Sequence, residues 1–334
     1  MPHHVVIGGS VSATQTAQTI RHLSSDDDIT MIAEENRPFY MRPLLADFVA
    51  RRIEEDRLWR DFEKKAAANN IRVITEKAAI RLDRNDKKVT LSDGTTLNYD
   101  RMLVATGTKP TLPEIPGIEL DRVSAFSTYQ DALRISKWCE KASRAVVVGH
   151  GLQGVELTRA LRLRGLSVSF LVPDQSPWFP QLFQLKGQVI EDALRAHGVE
   201  VIALDRPAAL LGEENRVRAV KTQRGRELPA DIVGFATGQR ANVSFLVGSG
   251  ISLADGVVVD NRLHSTDENV LAAGDVAQIE VDGKRRPIGY GWLRAMEHGE
   301  IAGRNMAGQD ATVEVGDESE AQSLYGTSLL ARWR

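Results

Sequence analysis

Short apolar runs rich in β-branched residues recur along the chain, and several close on glycine or another small residue. Val5, Val6 and Ile7 run into Gly8, Gly9 and Ser10, and from Val11 to Leu23 apolar positions return at helical spacing. The pattern predicts a strand, a tight small-residue turn and a helix. A second apolar run, "DITMIAEE" at 28–35, ends on Glu34 and Glu35. The arrangement returns 141 positions further on (149 minus 8): Ala145 to Val148 lead into Gly149, Gly151 and Gly154, then the helical "VELTRALRLRG" and the strand-like "SVSFLV". Another phrase is also doubled, "MLVATGTKP" at 102–110 and "VGFATGQRA" at 233–241. Each is an apolar run closing on Ala-Thr-Gly, where glycine lets the backbone turn sharply or pass close to a ligand. Two such turns paired with two such phrases predict two copies of one α/β unit.

The chemistry of that unit follows from its turn. Backbone N–H groups at the start of a helix face an anion, and the helix dipole favours one there. A dinucleotide fingerprint asks for small residues at three positions of the turn. In the first copy these are Gly8, Ser10 and Ala13, with Gly9 between, and in the second they are Gly149, Gly151 and Gly154. Glu34 stands 26 residues after Gly8, where a carboxylate can accept both hydroxyls of an adenosine ribose, and Glu35 is the alternative.

Composition narrows the class. A chain of 334 residues with 42% apolar content suits two globular domains, and a net charge of −3 gives no basic surface for nucleic acid. No apolar run approaches the roughly 18 residues of a membrane span, and the N-terminus enters a strand without the regions of a signal peptide, so the expected location is the cytoplasm. Cys139 is the single cysteine, which excludes an internal disulfide and a cysteine metal site. Redox chemistry in this chain has to come from a bound cofactor.

The order "VVIGGSVSA", "ITMIAEENRPFYMRPLL", "YDRMLVATGTKP", "VVVGHGLQGVE", "GFATGQR" and "NVLAAGDVA" resembles the pyridine nucleotide-disulfide oxidoreductase superfamily of two-dinucleotide flavoproteins. The resemblance covers residues 4 to about 308. "PFYMRPLLADFV" is most similar to the rubredoxin reductases and the flavin module of NADH-dependent nitrite reductases, with the ferredoxin reductases as close relatives. It implies an α/β fold of two Rossmann-like, three-layer domains, one inserted in the other. An FAD domain would comprise 1–112 and 238–310, a NAD(P) domain 113–237, and a short tail 311–334. By resemblance, Gly8, Gly9, Ser10 and Ala13 meet the FAD pyrophosphate and Glu34 its ribose. Arg42 and Pro43 run beside the flavin, Thr106 and Gly107 lie at a crossing near it, and Gly274 and Asp275 meet the ribityl chain. Gly149, Gly151 and Gly154 hold the nicotinamide nucleotide, and "GWLRAMEHGEIAGRNMAG" is the last long helix, its first turn aimed at the flavin.

Departures from the family pattern shape the functional expectation. The segment from Tyr40 to Val49 carries no redox cysteine, and Cys139 reads as a structural thiol. Asp47 stands where the ferredoxin reductases carry lysine. Val172 occupies the strand end at which a ribose-binding acid belongs; Asp174, two residues on, could reach the hydroxyls and tilts the coenzyme toward NADH. Glu156 matches a glutamate beside the nicotinamide in relatives, or is a helix-surface carboxylate. Only 26 residues (309–334) follow Gly308, so the interface domain usual in relatives is expected to be missing and a protein acceptor or a partner subunit to cover the flavin. "GKRRP" at 283–287 could guide an acidic carrier, or is a solvated hairpin turn. The expected activity is electron transfer from NAD(P)H through FAD to a rubredoxin, a ferredoxin or another iron-sulfur protein. The rivals are a flavoprotein subunit fed by a partner protein and a non-enzymatic FAD-bound assembly or redox-sensing subunit.

Overall fold

The computed structural model describes residues 1–37, 39–59, 62–173, 187–281, 284–287 and 291–314. The strands of its two parallel sheets are, in chain order, β1 (His3–Ile7), β2 (Asp28–Ile32), β3 (Ile71–Ile74), β4 (Arg101–Val104), β5 (Val123–Ala125), β6 (Arg144–Gly149), β7 (Ser167–Val172), β8 (Glu200–Ala203), β9 (Ile232–Ala236) and β10 (Val270–Ala272). The helices are α1 (Val11–Leu23), α2 (Leu45–Val49), α3 (Phe62–Ala68), α4 (Tyr129–Trp138), α5 (Leu152–Leu163), α6 (Gly187–Ala196) and α7 (Trp292–Met306). Among the described residues no helix is long and apolar enough to cross a membrane.

Contacts divide the chain into two compact units, the first holding 1–41, 59–109 and the described residues from 240 onward, the second 42–58 and the described residues of 110–239. In the first unit the sheet order is β10-β4-β1-β2-β3, all parallel. Val5, Val6, Leu103, Val104 and Leu271 are fully buried, which is why these strands read as continuous apolar runs rather than alternating ones. Helices α1 and α7 pack closely through glycine: a Cβ on Gly299 would lie 2.4 Å from the Ser12 carbonyl oxygen, and one on Gly303 2.6 Å from Thr19 Cβ. Thr16, completely buried, donates its hydroxyl to the Gly299 carbonyl at 2.8 Å and ties the two helices together.

The second unit repeats this plan. Its sheet order is β8-β7-β6-β9-β5, again all parallel, with Val146, Val148, Phe170 and Val233 unexposed. Each unit also carries a three-stranded antiparallel meander between its third strand and its Ala-Thr-Gly strand: Ala79–Asp83, Lys88–Leu91 and Thr96–Asn98 in the first, Pro207–Glu213, Arg216–Thr222 and Glu227–Pro229 in the second. Helix α4 starts on a reciprocal capping box formed by Thr128 and Asp131.

Four details differ from the sequence reading. Strand β2 stops at Ile32, so Glu34 and Glu35 lie in the bend beyond it, and α5 begins at Leu152, three residues before the run that suggested a helix. The segment 42–58 falls in the second unit, although the sequence division placed it in the first. Polar contacts account for that: Arg42 Nη1 donates to the Ser127 carbonyl at 2.7 Å, Arg164 to the Val49 carbonyl at 2.9 Å, and Tyr129 donates its hydroxyl to Glu55 at 2.7 Å. The chain crosses between units at 109–110 and 239–240, three residues before and two after the boundaries read from the sequence at 112 and 238. The tail from 315 and Asp174 lie outside the described residues. Lys284–Pro287 forms a strand antiparallel to Ala277–Val281, so the basic phrase sits in a hairpin whose Gly283 is not described.

Candidate functional site

Each sheet brings its small-residue turn to the carboxyl ends of its strands. In the first unit Ile7 is level with both Ile32 and Val104, and Val104 with Ala272. The residues after those strands (Gly8, Ala33, Ala105 and Ala273) therefore form one rim. Gly8 donates its N–H to the Ile32 carbonyl at 2.8 Å, and a Cβ on Gly8 would lie 2.2 Å from the Ala105 carbonyl oxygen. No side chain fits there. The same relation holds in the second unit, where a Cβ on Gly149 would lie 2.5 Å from the Ala236 carbonyl oxygen. The first glycine of each fingerprint thus presses on the alanine of its own Ala-Thr-Gly phrase, which explains why the two phrases recur as a pair.

Both turns leave the helix start without a side-chain partner. Ser10 and Gly151 are the N-caps of α1 and α5, both extended (φ −121° and −107°), and neither helix start has a side-chain cap or an acidic residue in its first turn. The amides of the first turn have no partner within the helix. Ala13 is fully buried at the third fingerprint position, whereas Gly154 packs on the Phe170 ring, 3.1 Å from where its Cβ would be. Gly274 (φ +75°) crosses over the α1 start, since a Cβ there would lie 2.4 Å from Ser12 Oγ. That contact brings Gly274 and its neighbour Asp275 to the same rim as Gly8 and Ser10.

Glu34 is exposed and paired with Lys109 Nζ at 3.3 Å, while both oxygens of Glu35 receive the Tyr40 hydroxyl, at 2.9 and 3.2 Å. Each of the two alternatives is therefore engaged by a neighbouring side chain, Glu34 by a cation and Glu35 by a hydroxyl. Lys109, within the quoted "TGTKP", was the missed member of this pair, and its proximity to Glu34 comes from the level strand ends. The Thr106 hydroxyl donates to the Asn242 carbonyl at 2.8 Å, and Thr237 donates likewise to the Thr111 carbonyl at 2.7 Å. These threonines staple the chain near its two crossings. Gly107 (φ +61°) has open space around its Cβ position, so its conformation rather than crowding selects glycine.

In the second unit Glu156 is neither on the helix surface nor alone. Its Oε2 accepts from Arg159 Nε at 3.1 Å and Nη2 at 2.8 Å, and Arg159 Nη2 also donates to Asp47 Oδ1 at 2.6 Å. Arg159 is 1% exposed, and its Nη1 is buried without a hydrogen-bond partner. One buried guanidinium shared by two carboxylates offsets one of their two charges and ties α2 to α5. The i,i+3 spacing of Glu156 and Arg159 was visible in the sequence; the role of Asp47 was not, because 112 residues separate it from Arg159. Arg42 and Pro43 lie in the short turn Arg42–Leu44 of this same unit. Val172 is fully buried at its strand end.

Cys139 caps α4 and is buried, and burial pushes its thiol up to about 11, away from the reactive thiolate form. His298 on α7 is 1% exposed; burial, helped by Arg294, pulls its imidazole down to about 4.

Comparison with known proteins gives consistent findings. The family described as pyridine nucleotide-disulphide oxidoreductase matches residues 2–300. The NADH-rubredoxin oxidoreductase of Clostridium acetobutylicum is 27% identical over 310 residues, which cover 92% of this chain and 76% of that protein. The NADH-dependent phenylglyoxylate dehydrogenase subunit epsilon of Aromatoleum evansii is 29% identical over 273 residues, covering 81% and 64%. Among solved structures, an NAD-dependent persulfide reductase from A. fulgidus superposes with a TM-score of 0.86 at 28% identity, over 93% of this chain and 60% of that one. The chain thus spans between 60% and 76% of the length of these three relatives.

Proposed function

The chain belongs to the pyridine nucleotide-disulphide oxidoreductase family and is with it an FAD-dependent oxidoreductase using NAD(P)H, and from that premise we propose that it delivers electrons to a small carrier protein of the rubredoxin or iron-sulfur class, without a redox-active disulfide. The observation that carries the reading is the doubled rim, with Gly8 on Ala105 and Gly149 on Ala236, each beside an uncapped helix start. Such a rim fits a pyrophosphate, because backbone donors converge where no side chain can enter.

In this reading Gly8, Gly9, Ser10 and Ala13 hold the FAD pyrophosphate, Glu34 its ribose, and Gly274 and Asp275 the ribityl chain, while Gly149, Gly151 and Gly154 hold the nicotinamide nucleotide. When bound, FAD supplies the chemistry, accepting a hydride from NAD(P)H and releasing electrons one at a time. The chain's own residues bind and orient. Arg159 fixes Glu156 for the nicotinamide side, and the burial of Cys139 keeps thiol chemistry out. Support for a carrier as acceptor comes from the rubredoxin-linked relative. A second reading, a flavoprotein subunit of a larger enzyme, is favoured by the similarity to a dehydrogenase subunit epsilon.

An anaerobic titration tests the proposal. The visible flavin band of the purified protein is followed as NADH, NADPH and then dithionite are added, and a rubredoxin or ferredoxin is offered to the reduced protein. Prompt bleaching by a nicotinamide nucleotide with reoxidation by the carrier supports it. Bleaching only by dithionite sinks it and favours the subunit reading.

A further inference from the structure

The second unit lacks, among its described residues, the strand-end acid that would read a coenzyme ribose, and the structure places the Arg206 side chain there instead. Strand β7 ends at buried Val172, which pairs in register with Ala203 at the end of β8. Beyond Ala203 the chain turns at Leu204 (φ +60°), and Asp205 donates its N–H to the Val172 carbonyl at 3.4 Å. Arg206 follows, exposed, and its Nε donates to the Pro173 carbonyl at 3.1 Å. That bond sets the guanidinium at the carboxyl end of β7, the place where a doubly wound nucleotide fold meets the adenosine ribose.

A buried group holds the arrangement. Asp205 is 3% exposed; its Oδ1 accepts the backbone N–H of Arg206 at 2.9 Å and of Arg224 at 3.2 Å, while its Oδ2 is buried without a partner. Gln223 N–H donates to the Arg206 carbonyl at 2.8 Å. Two arginine-bearing turns are thereby pinned side by side against one strand end. An acid at this place accepts ribose hydroxyls and repels a 2′-phosphate, whereas a guanidinium offers planar paired donors that match one.

We infer that Arg206, with Arg224 beside it, reads the adenosine 2′ position of the coenzyme, so that the site takes NADPH as well as NADH. The inference rests on the reading of the second unit as the coenzyme domain.

The test measures binding of 2′-phospho-ADP-ribose and of ADP-ribose to the FAD-loaded full chain by calorimetry, together with kcat/KM for NADPH and NADH. The phosphorylated fragment binds roughly tenfold tighter or more, the scale of one charge-assisted contact, and the preference shrinks as salt rises. Arg206→Ala removes most of that preference, Arg206→Lys restores part of it, Arg206→Glu reverses it, and Arg224→Ala lowers it by a smaller factor; the NADPH-to-NADH ratio of kcat/KM follows. A purely structural role would weaken both fragments alike and leave the ratio where it was. An unchanged ratio in correctly folded Arg206→Ala and Arg206→Glu overturns the assignment while leaving the coenzyme domain intact. Failure of both fragments to bind overturns that domain reading and the inference with it.

Discussion

Alanine in place of Gly8 or Gly149 separates the two sites by one methyl group each. At Gly8 the new Cβ would stand 2.2 Å from the Ala105 carbonyl oxygen, and at Gly149 2.5 Å from that of Ala236. Carbon and carbonyl oxygen normally meet at roughly 3.3–3.6 Å, so about 1 Å of overlap has to be relieved, and the obstacle is backbone in the middle of a parallel sheet rather than a side chain that can swing away. Overpacking of this kind costs about 1–3 kcal/mol, and a non-glycine residue at φ +153° adds a similar amount, giving about 3 kcal/mol or more. Gly165→Ala is the control, since its φ is +84° but nothing lies within 4 Å of its Cβ position; only the left-handed backbone cost of about 1–2 kcal/mol applies. Thermal unfolding measures these costs, and cofactor assays localise them. Gly8→Ala loses FAD on purification, with its Kd in reconstitution raised by two orders of magnitude or so, because in the proposed reading the displaced turn carries the pyrophosphate donors. Gly149→Ala retains FAD and reduction by dithionite but is reduced poorly by NAD(P)H. If Gly8→Ala binds FAD with unaltered affinity and melts like Gly165→Ala, the rim is not what the first turn is built for.

Three further outcomes are expected. With Glu34 as the proposed ribose acceptor, Glu34→Gln weakens FAD roughly tenfold or more, whereas Lys109→Ala weakens it only a few-fold because the half-exposed pair is screened; reconstitution titrations at low and high salt distinguish the two. Arg159→Met removes the cation that Glu156 and Asp47, both nearly buried, share and costs about 3–5 kcal/mol in denaturant unfolding, most of which Arg159→Met combined with Glu156→Gln and Asp47→Asn recovers. His298 is held neutral with its folded value lowered to about 4, so it contributes stability above its ordinary value near 6.5 and loses it as pH falls from there toward 4; the unfolding free energy drops by up to about 3 kcal/mol across that window, and His298→Leu flattens that part of the profile.

What the sequence could show of all this depended on distance along the chain. The turns, the helices that follow them and the strand "SVSFLV" are local features, each signalled within about a dozen residues by apolar runs and small residues; α1 and that strand stand where the pattern put them, and α5 starts three residues earlier. The duplication was equally visible, because two phrases recur at matched spacing; its physical cause was not, since Gly8 and Ala105 are brought together only by the parallel pairing of β1 with β4. Long-range electrostatics were the least readable. A lone Asp47 and an i,i+3 Glu156–Arg159 pair look like solvated helix charges until the fold buries them around one guanidinium. Segment 42–58 shows why: its sequence neighbours belong to one unit and its bonding partners (Ser127, Tyr129, Arg159 and Arg164) to the other. Chain order alone could assign it only to its neighbours. The same limit applies to Arg206, which no motif marks; it gains a place at the carboxyl end of β7 through a register, Val172 against Ala203, that exists only once β7 and β8 are paired.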